Sequence, residues 1–598
     1  MRKVSLVVIV AALFASTAAI SVKHQRRWTE KLDLALVQAA GQRGSEPVRT
    51  VIRVRPDARD QVFAHLELRG LKPERVSTPD LIAVQMPASM LRPIAGDRDV
   101  VRLSSDAVVR GLASDLGKNT LLGTQGLLKL NGTSWSLATP YKGSNVGVAV
   151  IDSGVASGIG DLSAITFYDV INNMKQGGQY DDFGHGTHVS GLVASNGSFS
   201  NYIYQGVAPS VQLIEMKVLN SNGAGYTSDV INAINYVVAN RSRLHLGIIN
   251  LSLGHPIYES AATDPLVQAV ENAVAQGIVV VVAAGNFGGD PTTHEVGYAG
   301  ITSPGNAPSA ITVGAVETFQ TNSRGDDTIP WYSSRGPTWI DAYQKPDVVA
   351  PGSHLVSDIS TKSTIYKTYP NGIVKANGKL FLKLSGTSMA APVVSGIVAA
   401  MLEANRTKHP GAPLTPNAVK AILQYTAIPL SGYDELTQGT GAVNALGAIA
   451  LAEAVDPNAP ISSNWLTKPI SPYTTIDGES LPWAQHVVWG DHLVWGNQIY
   501  NNEEAWGLHI VWGDHVVWGD HLVWGNSTVW DGNQYSWGTH IVWGDSLIGQ
   551  STGNNIQWGG LDSPTTADHV VWGDLKSVIV GSTALSWGNL ERANMDVK

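Results

Sequence analysis

Apolar and polar positions follow three different patterns along the chain, and each predicts a different kind of structure. Between residues 143 and 452, short continuous apolar runs alternate with amphipathic stretches, as in a buried sheet covered by helices. The runs 146–151, 211–218, 247–251 and 277–283 predict strands. One intervening helix has readable ends, with Asp264 as its cap, Pro265 in its first turn and Gly277 at its stop. Upstream, residues 48–104 read as a small α+β unit. In it, 50–54 alternates as a strand, Asp57 is expected to cap a helix that runs through Leu66, Gly70 ends that helix, and 81–84 and 100–103 supply further strands. Downstream, Trp-Gly recurs eleven times, with clear copies at Trp506, Trp512, Trp518 and Trp524. The unit runs His, an aliphatic residue, Val, Trp, Gly, then Asp or Asn. Its even period keeps each position on one strand face and its Gly-Asp or Gly-Asn step suits a turn, so 481–598 is expected to form stacked short strands. Pro457, Pro460, Pro469 and Pro472 break up a stretch without periodicity, and 456–480 reads as a linker.

Length and composition narrow the function classes. A chain of 598 residues exceeds a single core and is expected to hold several domains. Its net charge of −9 offers no broad basic surface, which argues against a nucleic-acid partner. The chain opens with Met1-Arg2-Lys3, an apolar run over 4–14 and the small residues 15–19, the layout of a secretory signal peptide over 1–19. That run is shorter than the ~20 residues that cross a bilayer, so no transmembrane segment is expected after cleavage. Cysteine is absent, which excludes disulfides and thiol chemistry.

Three stretches each set a reactive side chain beside glycine. Residues 148–154 form an apolar strand that delivers Asp152 at its carboxyl end, where sites assemble in open parallel sheets. Residues 185–191 carry His185 between Gly184 and Gly186, with His188 three positions on. A zinc pair on a helix has spacing four and an intervening Glu, which this stretch lacks, and no metal is assigned. Residues 384–392 place Ser388 at the start of an apolar helix, where the N–H groups and dipole favour negative charge. Taken singly, Asp152 reads as a turn carboxylate and Ser388 as a helix cap, and His185 alone also permits a bland reading.

Together the three match the motifs of the subtilisin-like serine proteases, in that family's order, over roughly 145–452. Residues 252–254, 282–286, 333–337 and 345–352 also correspond to the family pattern. The resemblance implies a subtilisin-like α/β fold, a parallel sheet with helices on both faces, in a peptidase domain over 125–455. It implies a catalytic triad of Asp152, His185 and Ser388 and an oxyanion-hole amide from Asn286. Ser252, Leu253 and Gly254 resemble the segment that pairs with extended substrate backbone. The small unit resembles the family's ferredoxin-like inhibitory propeptide, within 20–115. A secreted or cell-surface endopeptidase made as a zymogen follows, with proteins or peptides as substrates and its own propeptide as intramolecular inhibitor. The chemistry needs no cofactor. Structural calcium stays open, with Asp181 and Asp182 as either ligands or solvated loop charges. The alternative is a surface-binding or polysaccharide-binding protein whose Trp tail is the working part.

Overall fold

The computed structural model describes residues 28–41, 46–111 and 139–503, apart from 164, 320, 322, 477, 490, 491 and 496, and the strand segments 529–530, 535–536, 555–557 and 569–571. The expected signal peptide and most of the Trp-Gly repeat region lie outside the described residues.

The first unit begins with helix α1 (Leu34–Gly41), then β1 (Pro47–Val54), α2 (Arg59–Leu68), β2 (Glu74–Arg75), β3 (Leu81–Pro87), α3 (Leu91–Ala95) and β4 (Val100–Ser105). Its antiparallel sheet has the order β2-β3-β1-β4, and Ile52, Ile82, Val84 and Leu103 face a small core completed by Val62, Leu66, Leu91 and Ile94. Asp57 does not cap α2. It sits at φ 66°, and α2 starts one turn-residue later at Arg59 behind Ala58, without a side-chain cap. The strand β5 (Val108–Gly111) then leaves this unit and pairs elsewhere.

The large unit is built on β6 (Gly147–Asp152), β7 (Ile165–Asp169), β8 (Lys175–Gln176), β9 (Gln212–Lys217), β11 (Leu246–Leu251), β13 (Val279–Ala283), β14 (Ile311–Val316) and β15 (Val348–Pro351). Short strands β10 (Ala224–Tyr226) and β12 (Leu253–Gly254) stand apart from it. The eight-stranded sheet has the order β15-β14-β13-β11-β6-β9-β7-β8, parallel except for β8. Helices α4 (His185–Ala194), α7 (Thr387–Lys408), α8 (Pro416–Thr426) and α9 (Ala445–Ala454) cover one face, while α5 (Thr227–Ala239) and α6 (Pro265–Ala275) cover the other. Alternate residues of each strand divide between the two cores: Val148 and Val150 face the α7 side, Ala149 and Ile151 the α5 side. Burial on both faces is why these strands read as continuous apolar runs. Asp264 caps α6 as expected, accepting from the N–H groups of Leu266 and Val267 at 2.8 and 3.3 Å.

The expected linker at 456–480 is instead part of this unit. It carries the hairpin β16 (Tyr473–Ile476) and β17 (Glu479–Pro482), and Trp465 is only 2% exposed, its indole donating to the Ile499 carbonyl at 2.7 Å. Trp483 is buried in the same core as Val487, so the unit runs on past 455 to include the first Trp-Gly hairpin, β18 (His486–Trp489) with β19 (His492–Trp495). Aperiodic sequence concealed this because isolated aromatic anchors dock a segment without giving it a repeating pattern.

Candidate active site

The order of strands reverses at β6, with β9 on one side and β11 on the other, and the carboxyl end of such a strand faces an open crevice. Asp152 is the last residue of β6. Its backbone carbonyl accepts from Val218 and Leu219, and one carboxylate oxygen accepts from the Ser153 N–H at 2.7 Å. His185 opens α4 opposite it, with Nδ1 at 2.8 and 2.9 Å from the two Asp152 oxygens. Both side chains are fully buried. The close approach depends on Gly186, where a Cβ would collide with the Gly154 carbonyl.

Asp181 is the residue that sequence reasoning left open and the structure puts to use. It is buried, and its oxygens accept from Ser153 Oγ at 2.9 Å, the Gly184 N–H at 2.6 Å, the Thr187 N–H at 2.9 Å and Thr187 Oγ1 at 2.7 Å. It therefore holds the first turn of α4, and with it His185, against the strand that carries Asp152; burial raises its pKa against these hydrogen bonds. Asp182 pairs with the Lys217 ammonium at 2.7 Å. Neither is a bare loop charge, and protein donors already occupy the Asp181 oxygens. The signal available in the sequence was an acidic residue just ahead of a helix start. His188 is turned into the protein interior, its Nε2 lying 3.2 and 3.0 Å from the carbonyl oxygens of Leu355 and Leu382. Burial, reinforced by His185, pushes its pKa down to about 3. Among the described residues no group of three or more His, Asp or Glu is arranged to hold a metal ion.

Ser388 is the second residue of α7, directly after Thr387, and the helix is capped by Gly386 rather than by Ser388. Its hydroxyl donates to the Ser252 carbonyl at 2.8 Å, and Ser252 Oγ donates to the Ser388 carbonyl at 2.9 Å. His185 Nε2 is a buried ring nitrogen without a hydrogen-bond partner. Asn286 follows β13 and Gly285, and its Oδ1 accepts from the Thr387 N–H and Thr387 Oγ1, both at 3.0 Å. That grip turns the donor end of the Asn286 amide away from Thr387. Thr387 also accepts from the Gly285 N–H at 3.1 Å, so this unflagged neighbour of Ser388 ties the ends of β13 and α7 together.

Ser252 leads into β12, and β5 lies between β12 and β10, antiparallel to both. Gly111 pairs with Leu253 and Arg110 with Gly254, while the Gly111 N–H donates to the Gly223 carbonyl at 3.3 Å. A Cβ on Gly111 would stand 3.2 Å from His185 Nδ1. The seven residues singled out in the sequence thus meet at one crevice, and a strand from the first unit occupies it.

The arrangement has counterparts in known proteins. A sequence model of the Subtilase family matches residues 143–448. Serine protease AprX of Bacillus subtilis is 40% identical over 314 residues, 51% of this chain and 66% of that protein. Subtilisin DY of Bacillus licheniformis is 34% identical over 307 residues, covering 51% of this chain and 92% of that protein. The crystal structure of fervidolysin from Fervidobacterium pennivorans, described as a keratinolytic enzyme related to subtilisin, shares the fold with a TM-score of 0.54 at 21% identity, over 68% of this chain and 62% of that one. With a family match across the unit that holds Asp152, His185 and Ser388, and with near-complete coverage of a subtilisin, this chain belongs to the subtilase family of serine endopeptidases.

Proposed function

We propose that this chain is a secreted serine endopeptidase, made as a zymogen, that hydrolyses peptide bonds in proteins through an acyl-enzyme intermediate. The observation that carries the reading is the buried Asp152–His185 pair beside Ser388, with an extended strand lying across it between β10 and β12. Serine is a weak nucleophile at neutral pH and needs a base within reach. His185 Nε2 is unpartnered and takes the Ser388 proton once the hydroxyl swings off the Ser252 carbonyl. Ionised Asp152 fixes the Nδ1–H tautomer and stabilises the imidazolium, and the proton then passes to the leaving amine. The Ser388 N–H at the start of α7 and the Asn286 amide donate to the oxyanion as it forms.

The small unit supports the zymogen reading. Its β-α-β-β-α-β succession and strand order suit a ferredoxin-like propeptide, and its trailing strand β5 blocks the crevice along the backbone of β12. The signal-like opening of the sequence supports export. A fluorophosphonate probe with a peptide substrate tests the mechanism: both labelling and hydrolysis are expected to vanish in Ser388→Ala. Equal labelling of that variant overturns the reading.

A further inference from the structure

The strand β5 lies in the crevice as an extended peptide, and the position at which it meets the imidazole is a glycine. Val109 is buried in the apolar cluster on the α5 side of the sheet and Arg110 is exposed, while Gly111 stands against His185. A Cβ built on Gly111 would lie 3.2, 3.3 and 3.4 Å from Nδ1, Cγ and Cε1 of His185. It would rest on the face of the ring, closer than carbon atoms pack at their best separation. Such an overlap is relieved only if the ring or the strand gives way. The ring is held by both Asp152 oxygens, at 2.8 and 2.9 Å from Nδ1, and its helix turn by the close approach of Gly186 to the Gly154 carbonyl. The strand is held on both edges: Gly111 pairs with Leu253, and its N–H donates to the Gly223 carbonyl at 3.3 Å. A longer side chain would have to turn aside from the imidazole, and Phe183 bounds the space beside it. The Phe183 ring packs so closely on Gly223 that a Cβ there would collide with it, and its centroid is 6.3 Å from that of His185. The Phe183 carbonyl accepts from the Ile365 N–H at 3.0 Å, which fixes the backbone from which the ring projects.

We propose that the face of His185 and the ring of Phe183 together select glycine at one position of the substrate, the position that Gly111 takes in β5. The proposal rests on the endopeptidase reading above and names a feature of the peptides that reach the same chemistry. Antiparallel partners run in opposite senses, so a substrate residue paired with Leu253 is followed by one opposite Ser252. Ser252 is the residue whose carbonyl receives the Ser388 hydroxyl at 2.8 Å. The selected glycine is therefore the second residue before the bond that is cut. His185 thus serves twice, as the base through Nε2 and as a wall through the opposite part of its ring, and Phe183 is a specificity-determining residue that touches no reacting atom.

Protein recovered from expression of the full chain is given a mixture of unfolded proteins, and the residues around each new cut are read by mass spectrometry. Glycine is expected at the second residue before the cut several-fold more often than in the mixture. One cleaved sequence is then made as a peptide with Gly, Ala or Leu at that position. Ala is expected to lower kcat/KM about tenfold, the least effect of one misfitting carbon in a closed site, and Leu to lower it further. Phe183→Ala is expected to narrow the Gly-to-Leu ratio by about fivefold, and Phe183→Leu, which keeps an apolar side chain there, to narrow it less. Cuts that show glycine at that position no more often than the mixture overturn the proposal while leaving the endopeptidase reading intact. Glycine selection with the same Gly-to-Leu ratio in Phe183→Ala overturns the role of Phe183. Wild-type protein that hydrolyses no peptide overturns the endopeptidase reading itself.

Discussion

The small unit at residues 28–105 and the large unit at 139–503 are both sheets covered by helices, yet their polar groups point to different tasks. In the large unit the polar groups close on one another around the crevice: Asp152 with His185, Asp181 with the first turn of α4, Asn286 with Thr387. In the small unit and the strand that follows it, many face the other unit. Arg49 bonds Asp106 at 2.9 Å, and Asp106 accepts from the N–H and hydroxyl of Ser228 in the first turn of α5. Arg102 pairs with Glu259, and the Ser77 N–H donates to Asn232. A site that must hold a base within tenths of an ångström is built from short side chains chained to strand and helix ends. The small unit is joined to the large one by charged pairs, polar bonds and the strand β5. The contrast is between a site tied within one unit and a unit joined across a polar seam.

The sharpest way to break it is at Asp152. Asp152→Asn keeps the shape of the side chain but lets His185 settle in the wrong tautomer, so kcat is expected to fall about 10⁴-fold. Thermal melting and docking of the small unit are expected to stay unchanged; a parallel loss of fold would mean that Asp152 serves packing. Next comes Asn286→Ala, expected to lower kcat by about 10²–10³, the magnitude known for such a donor in subtilisin itself. Its KM is expected to move little, since the amide acts on charge present only in the transition state. A rise in KM with unchanged kcat would recast Asn286 as a binding residue.

The smallest effect concerns the seam. Burial, then the neighbouring Asp264, raises the Glu259 carboxyl from 4.5 to about 7, with Arg102 opposing the shift. An acid whose pKa is raised in the folded protein takes up a proton on folding. Its contribution to stability is therefore complete below about pH 4.5 and fades as pH rises through about 7. The midpoint of thermal unfolding of Ser388→Ala, whose chain stays intact, is expected to be higher at pH 5.5 than at pH 8, and Glu259→Gln to narrow the difference. A midpoint that rises with pH would show that the charge pair with Arg102 outweighs the buried carboxyl.

Much of the large unit was legible because its strands are buried on both faces and its helices carry local punctuation. The run that became β13 and the Asp264-Pro265 start of α6 needed no tertiary knowledge. Asp57 misled because a capping residue type is common at turns, and here its positive φ places it before the helix rather than at its cap. The segment 456–480 misled because prolines mark breaks in periodicity, not the absence of anchors such as Trp465.

By itself the sequence singled out the candidate site residues and their order, since a strand end, glycines beside a histidine and a serine at a helix start are local features. Only the tertiary structure decided that both Asp152 oxygens face one imidazole nitrogen, that Asp181 braces the helix bearing it, and that β5 lies between β10 and β12. These are contacts between segments tens to hundreds of residues apart. Their geometry depends on how two cores pack against one sheet, and no local spacing encodes that.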